Sequence, residues 1–175
     1  ELNYVCYSVQ ESNEDKRTDE GKRNSEDKRN SEDKRTDKDK KNSFIADFMG
    51  ISVAGNTEIE NSSFHCQSTF VGMRSDINLQ LGGTHFYSKA DFSLAAIGKE
   101  LLIGKDEGNT TIFDGEANFY SIDVNKGLNL VDTQFNGAVY FQLSQIGANF
   151  TFQDVIFSNS NQGSDFRQVS YGSFY

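Results

Sequence analysis

The chain of 175 residues has no tryptophan and no proline, and only two cysteines, two histidines and two methionines. Each scarcity closes off a class of function. Cys6 and Cys66 lie in different regions and form no cluster with metal-ligand spacing, so no metal or cofactor is expected of them. A disulfide between them and a pair of free thiols fit the sequence equally, which leaves the compartment, surface or secreted versus cytoplasmic, open. The two histidines supply no Ser/His/Asp or Cys/His arrangement, and the chain reads as non-enzymatic. Glycine-rich pieces such as Leu81-Gly82-Gly83-Thr84 lack phosphate-loop spacing. No apolar run is long enough to span a bilayer, so no transmembrane segment is expected. An excess of positive charge is also missing: 17 basic residues stand against 26 acidic ones, a net of −9, and no direct nucleic-acid binding is expected.

What is present falls into three parts. Residues 1–13 form a short N-terminal segment that mixes Tyr4, Val5 and Tyr7 with polar residues and suits one short strand. Residues 14–43 are a hexapeptide tract, EDKRTD, EGKRNS, EDKRNS, EDKRTD, KDKKNS, with no apolar residue. Such a segment cannot offset its ordering entropy by burial, so disorder or irregular structure is expected there. The charge is unevenly divided: residues 1–43 hold 12 acidic and 11 basic side chains, and residues 44–175 hold 14 and 6, a net of −8. The third part, 44–175, is therefore the acidic body.

That body is written in units of 22 residues. Asp114–Phe135 and Asn136–Phe157 share Gly at the second position, Phe at the sixth, Val or Ile at the eleventh and Phe at the twenty-second. The same register covers 43–64, 65–86 and 87–113, the last with five extra residues near KDEGN, and 158–175 is a degenerate sixth unit. A fixed period of this length is the mark of a solenoid. Two columns run unbroken: Phe48, Phe70, Phe92, Phe119, Phe141 at the sixth position and Phe64, Phe86, Phe113, Phe135, Phe157 at the last. These ten rings are the expected structural core. Apolar or small residues at positions 4 and 6, 11, 15 and 17, and 20 and 22 imply short strands with period two. The anchors are spaced 5, 6, 5 and 6, which predicts four short sides per coil, with Gly50, Gly72, Gly127 and Gly147 at corners where strained dihedrals are cheap. His65 and His85 are placed on different sides of their coils.

Within each unit recurs a small–polar–Phe motif: Ala46-Asp47-Phe48, Ser68-Thr69-Phe70, Ala90-Asp91-Phe92, Ala117-Asn118-Phe119 and Ser164-Asp165-Phe166. It resembles the pentapeptide-repeat family, whose consensus is Ala-Asp/Asn-Leu/Phe followed by two variable residues. The resemblance covers roughly 43–175 and implies an all-β fold, a right-handed parallel β-helix or β-solenoid of about five to six coils. Six-residue steps between the five-residue ones depart from the family's strict spacing. Asp47, Asp91 and Asp165, with Asn118 in the same column, suit hydrogen bonds to the corner backbone, the role the consensus implies, better than a cation ladder.

Function on such a body must lie on its polar residues or at its ends. The inserted loop supplies the candidate interaction residues Lys105, Asp106 and Glu107. The end coils are open edges. The charged tract and the SNSNQG run are candidate caps, whereas Tyr171, Phe174 and Tyr175 suit an unsatisfied stacking face. The leading expectation is a structural or protein-interaction solenoid, self-assembling end to end, whose partner is a protein or another copy. Two alternatives are an acidic DNA mimic that occupies a nucleic-acid enzyme such as a topoisomerase, as the family resemblance implies for one branch, and a secreted or surface adhesive or filament protein.

Overall fold

The computed structural model describes residues 3–4, 45–158 and 163–174. The hexapeptide tract, Cys6, Tyr175 and the SNSNQG run from Asn159 to Gln162 lie outside the described residues, as does the side chain of Phe174. Among the described residues there is no helix, and none long and apolar enough to cross a membrane. The architecture is an all-β parallel solenoid of about six turns with a 22-residue spacing.

Four ladders run along it. The first stacks Asn3–Tyr4, Ser63–Phe64, His85–Phe86, Thr111–Phe113, Thr133–Phe135 and Ile156–Phe157. The second stacks Ile45–Asp47, Gln67–Thr69, Ala90–Asp91, Ala117–Asn118, Val139–Tyr140 and Ser164–Asp165. The third holds Ser52–Val53, Arg74–Ser75, Ala96–Ile97 and Asp123–Val124, and the fourth Thr57–Glu58, Leu79–Gln80, Leu101–Ile103 and Leu128–Val131. The nine-residue strand Gln145–Gln153 turns the corner between these last two and joins them into one sheet, onto which Ser170–Phe174 pairs. All the pairings are parallel, as they must be when each coil lies directly on the next.

The pairing locates the insertion. Ile103 is partnered by Leu130, 27 positions on, whereas Thr111 is partnered by Thr133, 22 positions on, so the five extra residues sit between Ile103 and Thr111. A second and larger insertion precedes the first full coil. Tyr4 pairs with Phe64 and so occupies the twenty-second position of its column. Six positions separate Phe64 from Phe70 around the next corner, but 44 separate Tyr4 from Phe48, so the charged tract stands in sequence between two strands of the solenoid.

The core is the two Phe columns. Sixth-position rings stack face to face at 4.9, 4.6, 5.2, 4.6 and 5.3 Å from Phe48 through Phe70, Phe92, Phe119 and Phe141 to Phe166. Last-position rings stack at 5.0, 4.8, 5.1 and 5.4 Å from Phe64 through Phe86, Phe113 and Phe135 to Phe157. The columns meet edge to face, as for Phe86 and Phe92 at 5.9 Å, the arrangement ring quadrupoles favour. Eight of the ten expected core rings are buried; Phe48 is half-buried and Phe157 is 43% exposed, because neither has a complete coil beyond it. A buried hydroxyl column lies beside the rings. Thr84 and Thr133 donate to the Ile59 and Ile103 carbonyls of the preceding coils at 2.5 and 3.0 Å, so these hydroxyls are satisfied across a coil interface.

The corners show a regularity within the coil. The eighth position is left-handed in every coil: Gly50 and Gly72 at φ 67°, Leu94 at 60°, Ser121 at 54°, Leu143 at 60° and Gln168 at 58°. Eleven residues further on, the nineteenth position is left-handed too, at Asn61, Gly83, Asp132 and Asp154. The 22-residue coil is thus two halves of 11 with one left-handed turn each. Gly50 and Gly72 do the work assigned to corner glycines, but Gly127 and Gly147 do not. Neither has positive φ, and Gly147 is instead required by close approach, since a Cβ there would lie 2.1 Å from the Asn125 carbonyl oxygen.

Candidate interaction surfaces

The inserted loop is ordered by its own turn. Asp106 and Asn109 exchange backbone hydrogen bonds of 3.0 and 2.7 Å across Glu107 and Gly108, whose φ values of 47° and 91° are those of a tight hairpin turn. The loop folds back over the two preceding coils. Asn61 Nδ2 donates to Asp106 Oδ2 at 2.6 Å, and Asn109 Nδ2 donates to Asn61 Oδ1 at 3.0 Å. Gly82 and Gly83 make the room: a Cβ on Gly82 would lie 2.7 Å from the Asp106 Cβ, and one on Gly83 would lie 2.4 Å from Asn61 Oδ1. Of the three candidate residues, Lys105 and Glu107 are exposed and Asp106 is held in this latch. Asn61 was not singled out in the sequence; the signal available was the glycine pair at the corner the insertion must cross.

The latch gathers acid. Partial burial pushes the Glu60 carboxyl up, and the neighbouring Asp106, Glu58 and Glu107 push it further. Beside it an open groove of about 310 Å³ runs under the loop, floored by Gly82, Leu102 and Val131.

On the second ladder the Asp/Asn column caps the corner backbone. Asp47, Asp91, Asn118 and Asp165 each accept a hydrogen bond from the N–H two residues on, at 2.9, 3.0, 3.1 and 2.9 Å. Burial works against the Asp91 carboxylate, but hydrogen bonds from Ser93 and Asn118 and the nearby Lys89 outweigh it and hold its pKa down. Hydrogen bonds from the Arg167 side chain and backbone hold Asp165 well below the usual carboxylate range. Among the described residues no group of three His, Cys, Asp or Glu could hold a metal ion.

The histidines are not on different sides. Position 21 and position 1 of the next unit adjoin where coils join, so His85 and His65 both stack on Tyr87, at ring separations of 3.7 and 4.2 Å. His85 Nε2 lies 2.8 Å from Asp114 Oδ2, and Asn136 Nδ2 donates to Asp114 Oδ1 at 2.7 Å. Hydrogen bonding from Asn136 leads in holding the Asp114 carboxyl below its ordinary value, helped by His85 against some burial. This is an axial surface chain of contacts with no nucleophile in it.

Three apolar surfaces remain. At the C-terminal end an open, mainly apolar cavity of about 630 Å³ is lined by Phe150, Phe152, Val155, Phe157, Phe166 and Val169, together with Tyr171 and the acidic Asp154. At the N-terminal end the corresponding cavity is about 150 Å³, among Phe48, Ile51, Ile59 and Met73. Along the side, the eighth-position corner exposes Met49, Leu94, Tyr120 and Leu143, with Val71 half-buried between them. No protein-family model, curated protein or solved structure matches the chain.

Proposed function

We propose that the protein is a non-enzymatic structural solenoid that associates with further copies of itself end to end. The observation that carries this reading is the C-terminal cavity, where the last ring of a column, Phe157, is stacked on one face by Phe135 and still 43% exposed. From the first coil to the fifth, every coil interface is a parallel ladder with two stacked Phe contacts, whereas the last has one, so a further coil of the same pattern is the chemistry that end fits. Its small–polar–Phe motif, similar to that of pentapeptide repeats, supports the same reading, since such units are built to stack. Sedimentation velocity over a concentration series, with electron microscopy, is expected to show elongated species that lengthen with concentration. Phe157→Asp is expected to stop the growth, and a wild-type chain that stays a single molecule at every accessible concentration overturns the proposal.

A surface or secreted location is the reading favoured by a second observation. Cys66 is disulfide-bonded, and the one other cysteine in the sequence is Cys6, outside the described residues. Disulfides persist in oxidising compartments. Thiol labelling of protein taken from its native source, under conditions that block exchange, tests it: a labelled Cys66 rejects this location.

A further inference from the structure

Leu94 and Leu143 combine two unfavourable features at one residue. Each has the left-handed backbone at φ 60°, a conformation that penalises any Cβ, and each leaves its side chain in water, 57% and 41% exposed. The fold does not ask for leucine there. The same slot is filled by Gly50 and Gly72 in the first two coils, and a Cβ at either would meet nothing within 4 Å. The neighbouring seventh position adds Met49, Val71 and Tyr120, so each of five successive coils contributes one apolar side chain to this corner. Coils are spaced by the strand separation, so the ridge is about 19 Å long. No acidic residue occupies the seventh or eighth position in any of the six coils, although the body from residue 44 holds 14.

We propose that this ridge is the contact of a side-by-side dimer, in which a second copy lies antiparallel with the two-fold axis at the third coil. The charge distribution selects a second copy, since the seventh and eighth positions carry no acid. Although the fifth-position Asp47 and Asp91 carboxylates flank the ridge on one side, the other flank offers the complementary pair Arg74 and Asp123, through which two bodies of net −8 can approach. The order of side chains selects the antiparallel mode. It sets Leu94 against Leu94, Met49 against Leu143, and the small Val71 against the large Tyr120. It also keeps the third ladder of one copy beside the third ladder of the other. There Arg74 in the second coil and Asp123 in the fourth flank Ala96, all lining one open groove of about 330 Å³. Reversing the axis places Arg74 of each copy opposite Asp123 of the other, twice per dimer, with Ala96 against Ala96 at the centre. Both charged side chains are exposed, and among the described residues neither has an ion-pair partner in its own chain. An isologous contact of this kind closes on itself and is independent of the end faces.

The test uses the full chain carrying Phe157→Asp, so that end-to-end growth does not mask a dimer. Sedimentation equilibrium should show monomer and dimer only. Leu94→Gly with Leu143→Gly should weaken the dimer by at least about tenfold, since it removes the apolar anchor at the two-fold axis and one at each end of the ridge. Its melting temperature should not fall, because glycine already serves this slot. Arg74→Asp alone and Asp123→Arg alone should each weaken association by placing like charges opposite one another, and the double charge swap should restore it. A chain monomeric throughout overturns the proposal, and so does a double swap no better than either single change. Growth lost with Phe157→Asp while the dimer persists, or the reverse, separates this contact from the end-to-end reading.

Discussion

The two left-handed corners stand eleven residues apart in each regular coil and share one backbone solution, yet they carry opposite chemistry. The eighth-position corner carries no acid at its seventh and eighth positions and shows one apolar side chain in each of five successive coils. The nineteenth-position corner carries Asn61, Gly83, Asp132 and Asp154, and in the third coil it opens into a seven-residue loop that covers the two coils before it. Backbone geometry therefore does not decide what a corner presents. Any side chain that tolerates positive φ can stand there, and the coil interior is indifferent to the choice. That freedom is what lets one face of a repetitive body be specialised while the rest stays uniform.

The comparison can be broken from its common support. Phe119→Ala removes a fully buried ring of the core that both halves of the fourth coil enclose. It is expected to cost about 3–5 kcal/mol in denaturant unfolding. A change well below that would mean the ring column is not the shared support. A smaller effect separates the corners. Gly72→Ala meets only the left-handed penalty, about 1–2 kcal/mol. Gly83→Ala meets that penalty and also displaces Asn61 and Asn109, so it should cost more and raise amide exchange in residues 105–109. Equal costs at the two glycines would show that the latch contributes nothing.

The smallest expected effect is in pH. Glu60, beside the nineteenth-position corner, has its carboxyl raised above the ordinary 4.5. Its protonated form is the one the fold prefers, so its contribution is present below the ordinary value and lost as pH rises through the raised one. Asp91, two residues before the turn at the other corner, is lowered, so its contribution is present above its ordinary 3.8 and lost as pH falls through the lowered value. Melting curves of Glu60→Gln against wild type should therefore show the variant relatively more stable at neutral pH, with the difference vanishing in acid. Asp91→Asn should show the reverse trend: the less stable at neutral pH, converging with wild type only in strong acid.

The architecture was legible because a 22-residue period fixes which side chains meet. Phe119 and Phe141 must stack once their coils do. The sides of the coil followed from the five- and six-residue steps between anchors. What the corners do was less legible, because glycine, leucine, serine and glutamine share one slot: Leu94 and Leu143 resemble lost core residues and are surface ones. The Asn61–Asp106 contact was invisible for another reason. It joins residues 45 positions apart through a loop whose path no periodicity constrains. The placement of His65 and His85 failed because position 1 and position 21, far apart in the unit, adjoin where one coil passes into the next. Phe157 belongs to its column by register, but burial also needs a neighbour above, which the repeat count decides and the motif does not.

The strand Asn3–Tyr4 has a consequence for how the chain assembles. Its partners lie 60 positions away, at Ser63 and Phe64, where the regular ladders close loops of 22. By the logarithmic law of ring closure, the longer separation adds only about 0.9 kcal/mol of closure entropy, and doubling it again adds about 0.6. The middle coils, with their short closures, are the natural nucleus, and the first strand docks late. Gain or loss of a few hexapeptides between Tyr4 and Ile45 is therefore nearly neutral for folding, which makes copy number in that tract a quantity free to drift while the solenoid stays fixed.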